Sequence, residues 1–203
     1  VRKKIFVLDT SLFVNPDSAR AFGDSPTHAL KNFLERAQNT PDFEFLMPPS
    51  VFAELMNFAE ENQIPHKLIL LLHKKPPKKH EIRIPGFFLY KLVSEMRDRF
   101  DRSLRLAEKS VREAMDSSFP SDKPSGEFDK IRPDAEAIGR LRENFRRVTR
   151  EGMLDSAEDV DLLLLAYETG GALVSCDQGV LHWAHELGIL TVSHQHLSEL
   201  LKG

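Results

Sequence analysis

The sequence predicts an α/β fold: an α/β/α sandwich with a short central parallel sheet, into which a long antiparallel helical hairpin is inserted. Three observations predict it. Short, unbroken apolar runs alternate with stretches of helical periodicity, which is the pattern of parallel strands buried on both faces. Residues 84–150 break that alternation with two long amphipathic stretches and no strand between them. The length of 203 residues suits one domain of roughly 100–200 residues with one elaboration.

Lys3–Leu8 is a short apolar run that ends at Asp9 and reads as a buried strand. Ser25-Pro26 opens a helix to about Asn39, since serine caps and proline suits the first helical position. Its residues Ala29, Leu30, Phe33, Leu34 and Ala37 fall on one face. Phe43–Met47 is a second strand, and Pro48-Pro49-Ser50 starts the next helix, with Val51, Phe52, Leu55 and Phe58 on one side. Lys74–Lys79 is a basic link in which Pro76-Pro77 forbids a continuing helix.

The hairpin follows. Ile84–Met115 reads as one helix, with Leu89, Leu92, Val93, Met96, Phe100, Leu104, Ala107 and Val111 keeping a spacing of three to four. Phe119–Pro133 is rich in Ser, Pro, Asp and Gly and reads as a loop. Pro133–Arg150 is the return helix, striped by Ile138, Leu141, Phe145 and Val148. Then helix and strand alternate again. Ser156 caps a helix over Asp159–Glu168, and Gly170-Gly171 ends it. Ala172–Cys176 is a strand ending at Asp177, Gly179–Leu187 a helix, Ile189–Ser193 a last strand and His196–Lys202 a last helix. The main domain is therefore discontinuous, residues 1–83 and 151–203, with the hairpin at 84–150.

Composition narrows the function classes. Hydrophobic residues make up 41% and charged residues 29%, too apolar for a disordered chain. No apolar run nears the roughly 18–20 residues that span a bilayer. Ile5–Leu8 is too short for the core of a signal peptide. The expectation is a cytoplasmic protein with no membrane partner. Cys176 is the single cysteine, which excludes an internal disulfide and a multi-cysteine zinc site; inside a strand it reads as packing. Neither G-x-G-x-x-G nor G-x-x-x-x-G-K-[ST] occurs, so dinucleotide and P-loop readings lose their support. His182, His185, His194 and His196 lie outside the acidic pattern described next and lack a third zinc ligand.

A net charge of −3 argues at first against a nucleic-acid partner. Resolved along the chain, it changes meaning. Residues 1–65 carry −3, residues 66–150 carry +8 and residues 151–203 carry −8. A basic arm joins an acidic core.

Two strands end in aspartate, Asp9 and Asp177, and open parallel sheets gather ligands at the carboxyl ends of their strands. Asp155 and Asp159 are spaced i, i+4 at one helix start and share a face. Glu54 lies in the helix after the second strand. Asp161 sits some 200° round from Asp159 and is either a fifth member or a paired residue. Converging carboxylates repel unless cations occupy them, and oxygen-only ligands favour Mg²⁺ or Mn²⁺. Two such ions roughly 3.5–4 Å apart activate a water and stabilise the leaving oxygen in phosphodiester hydrolysis. The bland reading of each acid is a turn, an N-cap or a solvated residue.

Basic residues stand beside this pattern. Arg142 and Arg146 are i, i+4, with Arg140, Arg147 and Arg150 near them, and they lead into the acidic helix. Such cations hold phosphates near a carboxylate pocket, or simply make a solvated face. Lys74, Lys75, Lys78 and Lys79 are a second candidate RNA contact, or an exposed loop.

At Asp9-Thr10-Ser11, Glu54, Asp159 and Asp177, in that order and on those elements, the chain resembles PIN-domain nucleases over residues 3–61 and 153–193. With the helical insertion and Asp-Ser-Ala-Glu-Asp-Val-Asp at 155–161, nearly the whole chain is similar to the minimal protein-only ribonuclease P family of bacteria and archaea. The resemblance implies a PIN-like fold and removal of the 5′ leader of precursor tRNA, leaving a 5′-phosphate, with no RNA subunit. It implies Mg²⁺ or Mn²⁺, two per site, held by Asp9, Asp155, Asp159 and Asp177 as the catalytic acids. Asp161 is a plausible fifth, and Glu54 matches the broader PIN pattern better than this subfamily. It also implies large homo-oligomers, dodecamers, built through the insertion. A 30-residue helix is about 45 Å long, more than a small α/β unit covers, so its far half needs a second copy or a hairpin folded back on its own domain.

Three other functions compete. A toxin-like or RNA-decay PIN nuclease would usually lack so large a hairpin. A haloacid-dehalogenase-like phosphatase wants a second Asp where Ser11 stands. A non-catalytic PIN scaffold would have lost core acids, and none is missing.

Overall fold

In a computed structural model, residues 3–117, 133–150, 154 and 156–202 are described. The predicted loop at 119–132 and the candidate ligand Asp155 lie outside them. By its contacts the chain divides into two compact units, Val1–Ile84 with Leu154–Gly203, and Pro85–Met153.

The first unit holds a four-stranded sheet in the order β3-β2-β1-β4, formed by β1 (Lys4–Leu8), β2 (Phe43–Met47), β3 (Leu72–Lys74) and β4 (Ala172–Val174). Every pairing is parallel, with Phe6 opposite Phe45 on one side of β1 and Ala172 on the other. Helices occupy the connections: α1 (Ser11–Val14), α2 (Pro16–Ala19), α3 (Pro26–Ala37), α4 (Pro49–Leu55), α5 (His66–Ile69), α8 (Ala157–Thr169), α9 (Gln178–Glu186) and α10 (His194–Leu200). The apolar runs are buried as their continuity requires. Val7, Leu8, Leu12, Phe13, Leu162, Leu165 and Trp183 are wholly enclosed. Phe33 anchors an aromatic cluster, with its ring centroid 5.4 Å from Phe13, 5.6 Å from Phe22 and 5.1 Å from Phe45.

Local signals set most boundaries. Ser25 accepts a hydrogen bond from His28 N, as a cap must. Ser156 does the same for Asp159 N at 3.0 Å, so α8 starts two residues before its expected first residue. Gly170 adopts φ +63°, which ends α8 in the left-handed region. At Gly171 a Cβ would lie 2.7 Å from Ile5 Cγ2; only glycine lets the chain pass so close to β1 and enter β4.

The structure corrects four element readings. A short β3 forms at Leu72–Lys74, so the basic link begins inside the sheet edge. The strand expected over Ile189–Ser193 is reduced to one bridge, Leu173 with Thr191. The short helices α1, α2 and α5 carry no long periodic pattern and escaped the sequence reading. The long helix begins at Gly86 rather than Ile84, because proline at 85 drives the residue before it out of helical conformation.

The second unit is α6 (Gly86–Ser117), 32 residues and about 48 Å long, packed against α7 (Pro133–Arg150). Along α6, Tyr90 (82% exposed), Phe100 (68%) and Leu104 (60%) remain open within this single chain. Among the described residues no helix is long and apolar enough to cross a membrane.

Candidate active site

The site is built where β1 and β4 end side by side. Asp9 follows β1, and its N–H donates to Val174 O at 3.0 Å, carrying the ladder one residue beyond the strand. Its carboxylate is thereby buried at the carboxyl edge of the sheet. Ser11 and Ser175 each donate a hydroxyl to Asp9 Oδ2 at 2.5 Å. The same hydroxyls tie the neighbouring backbone: Cys176 N donates to Ser11 Oγ at 2.8 Å, and Asp177 N to Ser175 Oγ at 3.0 Å. Sequence reasoning quoted Ser11 in the Asp9-Thr10-Ser11 motif without a role and did not single out Ser175. Their positions, two after Asp9 and two before Asp177, were the available signal.

Burial pushes the Asp9 carboxyl above its ordinary range. The bonds from Ser11 and Ser175 pull it back in part, and the nearby Asp177 charge adds to the rise. The physical message is that Asp9 sits where negative charge is opposed.

Asp177 caps α9. Its Oδ1 accepts from Gly179 N at 2.7 Å and Val180 N at 3.0 Å; Oδ2 is outside that cap. Capping and proximity to Asp9 therefore coexist in one side chain. Glu54, exposed on α4, accepts the Thr10 hydroxyl at 2.9 Å and so stands one hydroxyl away from the Asp9 backbone. Asp159 is half-buried in the first turn of α8. Acids in a first turn also suit the helix dipole.

Asp161 has other partners. It is buried, accepts the Ser50 hydroxyl at 2.8 Å and pairs with Lys79 Nζ at 2.6 Å. That contact fixes the first turns of α8 beside the start of α4, which itself follows β2. Lys79 is thus engaged with a carboxylate. Lys74 Nζ lies 4.2 Å from the centroid of the Phe52 ring, and Lys78 Nζ lies 3.4 Å from Glu81. Lys75 is half-buried, its N–H donating to Met47 O. On α7, Arg140, Arg142, Arg146 and Arg147 are exposed; the side chain of Arg150 lies outside the described residues. Cys176 Sγ is 3.7 Å from His194 Nδ1, and burial pushes its thiol above the usual range.

Among the described residues no three His, Cys, Asp or Glu side chains gather closely enough to hold a metal ion, and Asp155 is not among them. In kind, the donors present fit a hard divalent cation. They are oxygen atoms only, and the innermost one is a buried carboxylate whose charge both burial and Asp177 oppose.

Residues 5–203 match the family described as PINc domain ribonuclease. Over 197 residues, 97% of this chain and 90% of the relative, the sequence is 45% identical to an RNA-free ribonuclease P of Pyrococcus horikoshii. It is 38% identical over 200 residues to that of Thermodesulfovibrio yellowstonii, covering 98% of this chain and 94% of the relative. For that of Halorhodospira halophila the identity is 36%, covering 97% and 89%.

Proposed function

The chain belongs to the RNA-free ribonuclease P family of PINc-domain ribonucleases, and from that premise we propose that it removes the 5′ leader of precursor tRNA by hydrolysis, leaving a 5′-phosphate on the tRNA. The observation that carries the reading is the buried Asp9 held by two serine hydroxyls beside Asp177, at the carboxyl ends of adjacent parallel strands. A charge so placed has a use when a cation lies against it.

PIN nucleases generally use divalent metal ions. We assign Mg²⁺ or Mn²⁺, two per site, to Asp9, Asp155, Asp159 and Asp177. Such ions neutralise phosphoryl charge and polarise the attacking water. The chain's own residues do the rest. Ser11 and Ser175 orient the Asp9 carboxylate, and Asp177 keeps one oxygen for the site while the other holds α9. Thr10 steers Glu54 toward the same edge. Asp161 acts through Ser50 and Lys79 to set α8, which carries Asp159. The work is done in the cytoplasm, without an RNA subunit.

The test is end-labelled precursor tRNA with pure protein and Mg²⁺. A single cut at the mature 5′ end, lost in Asp159→Asn, is the expected result. Scattered cuts, or cutting indifferent to Asp159→Asn, would refute it.

Substrate holding is assigned to the exposed arginines of α7. Arg142→Ala with Arg146→Ala should weaken tRNA binding and lower the slope of log affinity against log salt by up to about two, roughly one per lost phosphate contact. Filter binding from low to high salt reads it; an unchanged slope removes these residues from the interface. The exposed apolar stripe of α6 is assigned to a second copy of the chain, in a homo-oligomer as large as a dodecamer.

A further inference from the structure

A cavity of about 340 Å³ opens beside the candidate active site, beyond the carboxyl end of β4. It lies within the first unit and is lined by Ser175, whose hydroxyl donates to Asp9, so one residue joins the cavity to the Asp9 network. Its size is at the lower end of the roughly 300–1,000 Å³ typical of small-ligand pockets. Leu181 and Val192 give it apolar walls, and Asn15, Gln178 and His194 give it polar ones.

The lining chemistry selects the ligand. Neither lysine nor arginine lines the cavity, and its one carboxylate is Asp17. A phosphate would meet no cation there. A flat, neutral group with a polar edge is suited: apolar walls take its faces, and side-chain amides take its edge. Asn15 Oδ1 is already spent on Asp17 N at 3.0 Å, which fixes that side chain and turns its NH₂ into the part left for a ligand. Gln178, exposed at the first position of α9, adds both a donor and an acceptor. The cavity's volume and lining chemistry suit a nucleobase.

Substrate geometry decides which base. On the tRNA side of the cut, the first nucleotide is paired in the acceptor stem and its edge is unavailable. On the leader side the nucleotide is unpaired and can be splayed out, and unstacked bases are what proteins read on RNA. We propose that this cavity receives the base of the last leader nucleotide, adjoining the scissile phosphate; the proposal rests on the ribonuclease P reading above. Seated there, the base positions its own 3′ oxygen, the leaving atom, near the carboxylates.

The experiment uses precursor tRNA with either a normal base or an abasic unit at the last leader position, cut by the wild type and by Gln178→Ala. For the wild type, kcat/KM should fall about ten-fold on the abasic substrate, the scale of one lost base contact. Gln178→Ala should cut the normal substrate more slowly and show a smaller abasic penalty, with an unchanged melting temperature. Irradiated 4-thiouridine at the same position should attach within residues 15–18 or 175–194. Equal wild-type cutting of both substrates, or attachment elsewhere, overturns the base pocket while cutting at the mature end still supports ribonuclease P activity. No cutting of either substrate at that end overturns both readings.

Discussion

Asp9→Asn should abolish cleavage while leaving the chain folded. Its loss should exceed the ~10–100-fold typical of removing a group that merely supports a metal ligand. The reason lies in the balance at the end of β1. Burial opposes the aspartate charge, and the amide that replaces it carries none. Asn keeps an oxygen for the Ser11 and Ser175 hydroxyls, so the bonds joining β1 to β4 survive. The metal-free variant should therefore melt no lower than the wild type. Saturating Mg²⁺ or Mn²⁺ should separate the two proteins. An ion bound only to the folded state at a hundred times its Kd adds about 2.7 kcal/mol. The wild type should gain melting temperature, and Asp9→Asn should gain much less. Thermal melts with and without the ion read this directly. An equal gain in both proteins would place the ion elsewhere.

The second large effect concerns assembly. Phe100→Glu with Leu104→Glu puts two charges one turn apart on the open face of α6. Within a single chain these side chains are exposed, so the protomer should fold as before. Against a second copy they would be buried, and each lost apolar contact is worth about 1.5–3 kcal/mol, to which the cost of burying a carboxylate is added. Light scattering at micromolar concentration should find a large particle for the wild type and a much smaller one for the double variant. A wild type that scatters as a monomer, or a double variant of unchanged mass, would remove α6 as the assembly surface.

Much of the frame was legible because it is local. Ile5–Leu8 and Ala172–Val174 are short continuous apolar runs, and their length and the turn residues around them mark them as strands rather than buried helix. The serine caps of α3 and α8 show in the sequence because a cap is a contact between residues three apart. The site was legible only as a list of acids. That Glu54 meets Thr10 across 44 positions, and Asp161 meets Ser50 across 111, depends on how the sheet folds back, and no periodicity encodes it. Lys79 is a further case: in the Lys74–Lys79 stretch it reads as a phosphate contact or an exposed loop residue, and nothing local announces that its amine lies against Asp161. The strand at 189–193 failed for a different reason: Ile189 is buried but Leu190 is exposed, and only Thr191 reaches ladder geometry, opposite Leu173.

The hydroxyl from Ser175 to Asp9 spans 166 residues of chain. Three strands of the sheet precede the α6–α7 unit in the sequence, and β4 follows it. During synthesis the first half of the pocket waits, without its fourth strand, while the whole helical arm is made. The acidic pair of Asp9 and Asp177 comes into being only after the ribosome has passed residue 177. A copy that stops before residue 177 therefore holds Asp9 without its partner acid and without the strand end that carries Ser175 and Asp177 beside it.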